Sequence, residues 1–199
     1  MIRYRWAEVV AEAGGWDQVR ELLVRLEGKT EKALAYRPLT GDAKPGDKVL
    51  LNTTAVRLGL GTGGYHFVVQ VRGRVPDDPP DRGHLMKLNY TPWQIRVLSV
   101  EEEESPHHGA LREAGDLEAM PVVACSLHSH LGPVVGAIAA VSAGKAKVAY
   151  VMTDGACLPA PFSRLIKSVR EAGLGFHAIR PDADPSDQFV SLSLLNLKR

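Results

Sequence analysis

Cysteine is nearly missing: the 199 residues hold two, Cys125 and Cys157, in no C-x-x-C or zinc-ribbon spacing. That excludes a disulfide scaffold or a structural zinc site and leaves packed, free thiols in a reducing cytosol as the expectation. A charge excess is missing too, since 24 basic residues face 23 acidic ones, for a net charge of +1. No global field would draw the chain to nucleic acid or to an anionic membrane, although local patches remain open to it. No secretory leader is expected, because Glu8 and Glu12 interrupt the apolar residues after Arg3 and Arg5. Residues 120–144 carry no Asp, Glu, Lys or Arg and reach the roughly 20 residues that a bilayer needs. His128, Ser129, His130 and Pro133 break that stretch, so it reads as a buried strand followed by a buried helix. No repeat of solenoid or propeller period occurs. A cytoplasmic protein with no membrane partner is the expectation.

What is present is an ordinary globular composition, 45% hydrophobic and 24% charged with 19 Gly and 13 Pro. The first hundred residues read as strands: 2–10, 30–36, a long one over 48–58, and its hairpin partner over 65–75. Residues 17–27 fit helical and alternating patterns alike and are assigned to a strand by their neighbours. Turns are expected at Gly14-Gly15, Gly28-Lys29, Thr40-Gly41-Asp42 and Lys44-Pro45-Gly46-Asp47. A small β-barrel or sandwich follows. Pro76, Pro79 and Pro80 make 74–83 a loop where a first boundary would fall, and two more strands, 84–90 and 94–100, precede the glutamates Glu101–Glu104, read as a solvated face.

From Ser105-Pro106, taken as a helix start, the pattern changes. A short helix over 107–114 leads to an apolar strand at 121–126, an Ala/Val-rich helix at 132–143 closed by Gly144, and a strand at 148–152. An amphipathic helix over 162–172, with Phe162, Leu165, Ile166 and Val169 on one face, and a strand at 176–179 complete it. Strand alternating with helix is the pattern of a parallel, Rossmann-like sheet. The expected architecture is therefore a mostly β, barrel-like domain over 1–104 and an α/β domain over 105–199.

Two places carry the functional reading. Gly59-Leu60-Gly61-Thr62-Gly63-Gly64 satisfies G-x-G-x-x-G, yet a strand rather than a helix follows. The loop is therefore either a hairpin connection needing positive φ or a nest cradling a phosphate, with Gly59, Gly61, Gly63 and Gly64 as ligand-binding candidates. His128-Ser129-His130 and Thr153-Asp154-Gly155 fall at successive strand ends, the edge where open α/β sheets bind ligands. His128 and His130, on an extended segment, would point the same way and suit a metal with Asp154; without a further close ligand set no metal is expected. The reading is a protein that binds a small anionic, phosphate- or nucleotide-like ligand through Ser129, Thr153 and Gly155, with no cofactor identified. As an enzyme it would be a hydrolase or transferase with His128 as base and Asp154 orienting it. The alternatives are a non-catalytic binding or assembly module, and an RNA-binding barrel built on Lys44–Val49, Arg72 and Arg74, with Tyr65 and Phe67 expected to point into the core instead.

Residues 51–56, 59–68 and 83–92, then Pro121-Val122-Val123, Leu127-His128-Ser129 and 148–155, resemble an uncharacterised bacterial domain-of-unknown-function family (family number 3866) over about residues 1–173. The resemblance implies that these segments belong together and implies no substrate. The family has counterparts of His128 and Ser129 but no histidine matching His130, which weighs against a metal there. Its members are longer, so the resemblance leads to the expectation of a truncated or frameshifted chain whose unpaired sheet edge would favour a homo-oligomer.

Overall fold

The computed structural model describes residues 1–16, 18–78, 81–99, 102–116, 119–151, 162–173 and 176–178. The chain divides into two compact units, Met1–Pro79 and Pro80–Arg199.

The first unit is a closed five-stranded barrel in the order β1-β2-β3-β5-β4. Its strands are β1 (Tyr4–Trp16), β2 (Val19–Leu26), β3 (Lys29–Tyr36), β4 (Lys48–Asn52) and β5 (Tyr65–Val71), with short helices α1 (Arg37–Thr40) and α2 (Thr54–Arg57) between them. All neighbours are antiparallel except β3 and β5, an arrangement of the Greek-key barrel type to which the OB-fold belongs. β1 makes closure possible by pairing with β4 through its first half and with β2 through its second. Two register shifts bend it between those partners. Gly14-Gly15, expected as a turn, lies inside this bent strand. Gly15 has φ +154°, and a Cβ there would sit 2.3 Å from the Val19 carbonyl oxygen, so only glycine permits the approach.

Alternation decides what fills the barrel. Leu22, Val24 and Leu26 of β2, Ala33 and Ala35 of β3, Val49 and Leu51 of β4, and Val68 and Val71 of β5 point inward with Ala7 and Val9. This confirms the strand assignment over 17–27 and places Tyr65 and Phe67 on the outer face, a correction. His66, 2% exposed, faces inward between them, its Nε2 2.5 Å from Glu31 Oε2. Outside, the Phe67 ring stacks on Tyr36 and Lys32 lies over Tyr65, whose hydroxyl donates to Glu21 at 2.9 Å.

The long strand expected over 48–58 stops at Asn52. Asn52 Oδ1 accepts from Thr54 N–H, Thr53 Oγ1 donates to the Arg3 carbonyl, and Thr54 Oγ1 accepts from Arg3 N–H. Side chains that bond to nearby backbone offer it an alternative to the ladder, and here α2 begins.

In the second unit β6 (Leu85–Lys87) and β7 (Ile95–Val97) form an antiparallel pair, followed by α3 (His108–Glu113). Glu102 fastens this hairpin: Oε1 accepts from His84 N–H at 2.7 Å and Oε2 from Ser99 N–H at 2.6 Å. Glu104 Oε2 accepts from Gly83 N–H at 2.7 Å. Within the glutamate run, Glu102 and Glu104 therefore tie down backbone, while Glu103 and Glu104 are exposed as a solvated face would be. α3 starts one turn position later than expected, at an N-cap residue His107 that makes no side-chain cap bond.

Helix α4 (Leu131–Val141), strand β8 (Val148–Tyr150), helix α5 (Arg164–Glu171) and strand β9 (Phe176–Ala178) complete the described elements. β8 and β9 pair in parallel, so β8-α5-β9 is a βαβ unit. Leu131 and Val135 of α4 pack with Ile166 and Val169 of α5, and Val148, Tyr150 and Leu165 lie against them. Gly132 faces Leu165, whose Cδ1 would stand at van der Waals distance, 3.4 Å, from a Cβ there. The strand expected at 121–126 is absent: Val122 and Val123 are exposed and no described strand pairs with them. A β-branched run becomes a strand only where a pleated surface receives it. The α4 helix is likewise not wholly buried, as Val141 is 91% exposed, and Cys125 is an exposed thiol instead of a packed one. Among the described residues no helix is long and apolar enough to cross a membrane.

Candidate functional site

His128 enters a 3-10 turn, His128–His130, that runs directly into α4. Leu127 before it is extended, and the turn reverses the chain at the start of the helix. His128 and His130 therefore do not project in parallel from an extended segment, which corrects the premise of the metal reading. Among the described residues no group of three His, Cys, Asp or Glu is arranged to hold a metal ion.

The structure instead gives His128 two hydroxyl partners from other elements. Its Nδ1 is 2.8 Å from the Tyr150 hydroxyl at the carboxyl end of β8, and its Nε2 is 2.7 Å from Ser163 Oγ. Ser163, 4% exposed, is the N-cap of α5, where its Oγ accepts from Ile166 N–H at 3.0 Å. These bonds limit the proton placement. With one Ser163 lone pair taken by the Ile166 N–H, two tautomers satisfy every group: Ser163 O–H donates to His128 Nε2 while Nδ1–H donates to Tyr150, or Nε2–H donates to the second Ser163 lone pair while the Tyr150 hydroxyl donates to Nδ1. In the first of these His128 is a neutral imidazole with a lone pair on Nε2. Burial holds its pKa below the usual 6.5. Burial, and after it a charge on Cys125, pushes the Tyr150 phenol up, so it stays protonated at neutral pH.

Because the folded His128 binds its proton less readily than the unfolded chain, protonation favours unfolding. Stability present above pH 6.5 is expected to fall as the pH drops through 6.5 towards the folded value. Urea titrations followed through α5 hydrogen exchange at pH 7.5 and 5.5 test this. His128→Gln should lose less on acidification than the natural chain; an equal loss would assign it to other groups.

Ser129 is exposed beside His128 at the head of α4. Thr153, Asp154 and Gly155 lie outside the described residues, as does Cys157. The Gly59–Gly64 loop belongs to the barrel unit, where it joins α2 to β5. Gly59, Gly63 and Gly64 have φ of 68°, 64° and 78°, while Gly61 has no positive φ and open space where a Cβ would go. Gly61→Ala is accordingly expected to change stability by less than about 0.5 kcal/mol, whereas Gly63→Ala should cost about 1–2 kcal/mol. Thermal unfolding of the two variants checks this; equal effects would contradict it.

Sequence reasoning missed Tyr150 and Ser163. Ser163 had a signal, a serine directly before an amphipathic helix, which is the N-cap signature. Tyr150 had none beyond its place at the end of a strand. The Lys44–Asp47 segment, weighed as an RNA-binding element, is held internally: Asp47 accepts from Lys44 N–H at 2.7 Å and from Arg74 at 2.9 Å.

The chain is a two-unit protein, a closed β-barrel and a second unit in which a βαβ element holds a histidine bonded between two hydroxyls. The family described as protein of unknown function (DUF3866) matches residues 32–180, from within β3 past β9, and the chain belongs to that family. No curated protein and no solved structure matches it.

Proposed function

We propose that the second unit binds a small anionic ligand, phosphate- or nucleotide-like, at the carboxyl end of β8. The observation that carries this reading is the convergence of three ends: the N-termini of α4 and α5 and the carboxyl end of β8 meet around His128 within hydrogen-bond distance. Helix N-termini favour negative charge, and in open α/β sheets ligands occupy this edge. In this reading the βαβ unit is part of a Rossmann-like sheet, Ser129 contacts the ligand from the head of α4, and Thr153, Asp154 and Gly155, next in sequence after β8, are further ligand-binding candidates. Asp154 would orient a catalytic group there. His128 has both ring nitrogens bonded, so its action on a ligand passes through a hydroxyl neighbour.

The RNA-binding alternative has less to support it, because Tyr36 on the outer barrel face is 9% exposed and the Tyr65 hydroxyl is bound to Glu21. Thermal unfolding with inorganic phosphate against sodium chloride at matched ionic strength tests the anion site. Phosphate should raise the unfolding temperature of the natural chain, by an increment that rises with concentration as one-site binding requires, and should do so less in Ser129→Ala. Equal effects of the two salts would contradict the reading.

A further inference from the structure

We propose that Ser163 is a nucleophile activated by His128, and that the site of the preceding reading hydrolyses small acyl esters. The inference rests on that reading for its location and on the Tyr150–His128–Ser163 chain for its chemistry. A hydroxyl within hydrogen-bond reach of an imidazole, itself oriented by a third group, is the arrangement that makes a weak nucleophile reactive. Here the distances are 2.7 Å from Nε2 to Ser163 Oγ and 2.8 Å from Nδ1 to the Tyr150 hydroxyl.

One of the two proton placements suits this role. In the tautomer with Nδ1–H donating to Tyr150, the serine proton faces His128 Nε2 and the neutral imidazole can take it, as a general base must. The Ile166 N–H that donates to Oγ stabilises the negative charge that grows there as the proton leaves. Oγ then adds to the ester carbonyl while Nε2 takes its proton. The tetrahedral adduct collapses with cleavage of the acyl carbon–oxygen bond, and the leaving alkoxide takes the proton from Nε2. Water attacks the acyl-serine, giving its proton to Nε2, and collapse releases the carboxylic acid and returns the proton to Oγ. Ester and water become acid and alcohol with no other reactant. Negative charge on the carbonyl oxygen would form beside two helix N-termini, which favour it. Tyr150 is a positioning residue: it fixes the ring and, by accepting Nδ1–H, the tautomer, and a phenol in the place of a carboxylate leaves the base weaker than in an Asp-supported triad.

The full chain treated with a fluorophosphonate tests this. Oγ–P forms, P–F breaks, fluoride leaves and the proton passes through His128 to solvent. The expected result is a single adduct, by intact mass and peptide mapping, on Ser163. Ser163→Asn keeps a good helix cap and should take no adduct. His128→Ala should react roughly a hundredfold more slowly. In the natural chain the rate should fall on acidification below pH 6.5, as His128 becomes protonated, a readout that does not depend on any variant folding. Tyr150→Phe should alter that pH profile, which a purely structural tyrosine would leave in place. No adduct on Ser163, or a rate without an acid limb, overturns the proposal. Stabilisation by phosphate without an adduct removes only this inference, whereas an adduct without such stabilisation removes the anion reading and keeps the nucleophile.

Discussion

Glu102→Ala is expected to release the β6–β7 hairpin and to lower its local stability by about 2–4 kcal/mol. One carboxylate accepts from His84 N–H just before the entering strand and from Ser99 N–H just beyond the leaving one, so both ends of the hairpin lose a charge-assisted bond together. The side chain is only 16% exposed, which limits how well water can replace it at the freed amides. Glu102→Gln keeps an acceptor oxygen for one amide and should lose roughly half as much. Hydrogen exchange at His84 and Ser99 reads the effect where it arises. Unchanged protection in Glu102→Ala would show that the hairpin is held by other contacts.

In the barrel, Leu51→Ala should cost about 3–4 kcal/mol, while the adjacent Leu50→Ala should cost less than about 1 kcal/mol. Leu51 is fully buried between Val49 and the facing Val68, inside a wall of hydrogen-bonded strands that has little freedom to collapse into the space. Leu50 points outward opposite Gln70 and beside Trp6, which is half exposed. The pair also tests register, because a slip by one residue would exchange the two faces and reverse the order of the effects. Urea midpoints of both variants decide it.

The strand that carries Leu50 and Leu51 was legible in the sequence, and the role of Glu102 was not. Leu22, Val24 and Leu26 alternate as a half-buried strand must, and the closed barrel follows from strands of that kind separated by turn residues. The end of β4 was obscured because Asn52, Thr53 and Thr54 sit within a β-branched run, and only their bonds to Arg3 and to local backbone turn the chain. The roles of Glu102 and Glu104 within the glutamate run were hidden because a carboxylate that caps backbone amides across a hairpin has the same local sequence as one in water. The 121–126 run fails in the opposite sense: its composition suits a buried strand, but no described strand receives it.

The candidate site divides in the same way. The position of His128 before a helix could be read from the sequence, but the strand at 121–126 that was to set it on a sheet edge is absent. The partners of His128 could not be read, since Tyr150 and Ser163 come from β8 and the head of α5, and their convergence depends on packing between α4 and α5. The reading of His128 as a freely acting base or metal ligand changes once Nδ1 and Nε2 are both bonded to hydroxyls.

The most direct test of a ligand site centred on His128 is an imidazole nitrogen–proton correlation spectrum of the chain at pH 7.5, with and without inorganic phosphate. The predicted spectrum has a protonated Nδ1 and an unprotonated Nε2 for His128, and its signals move in a saturable way as phosphate is added. The opposite tautomer, or His128 signals that phosphate leaves in place, would contradict the account.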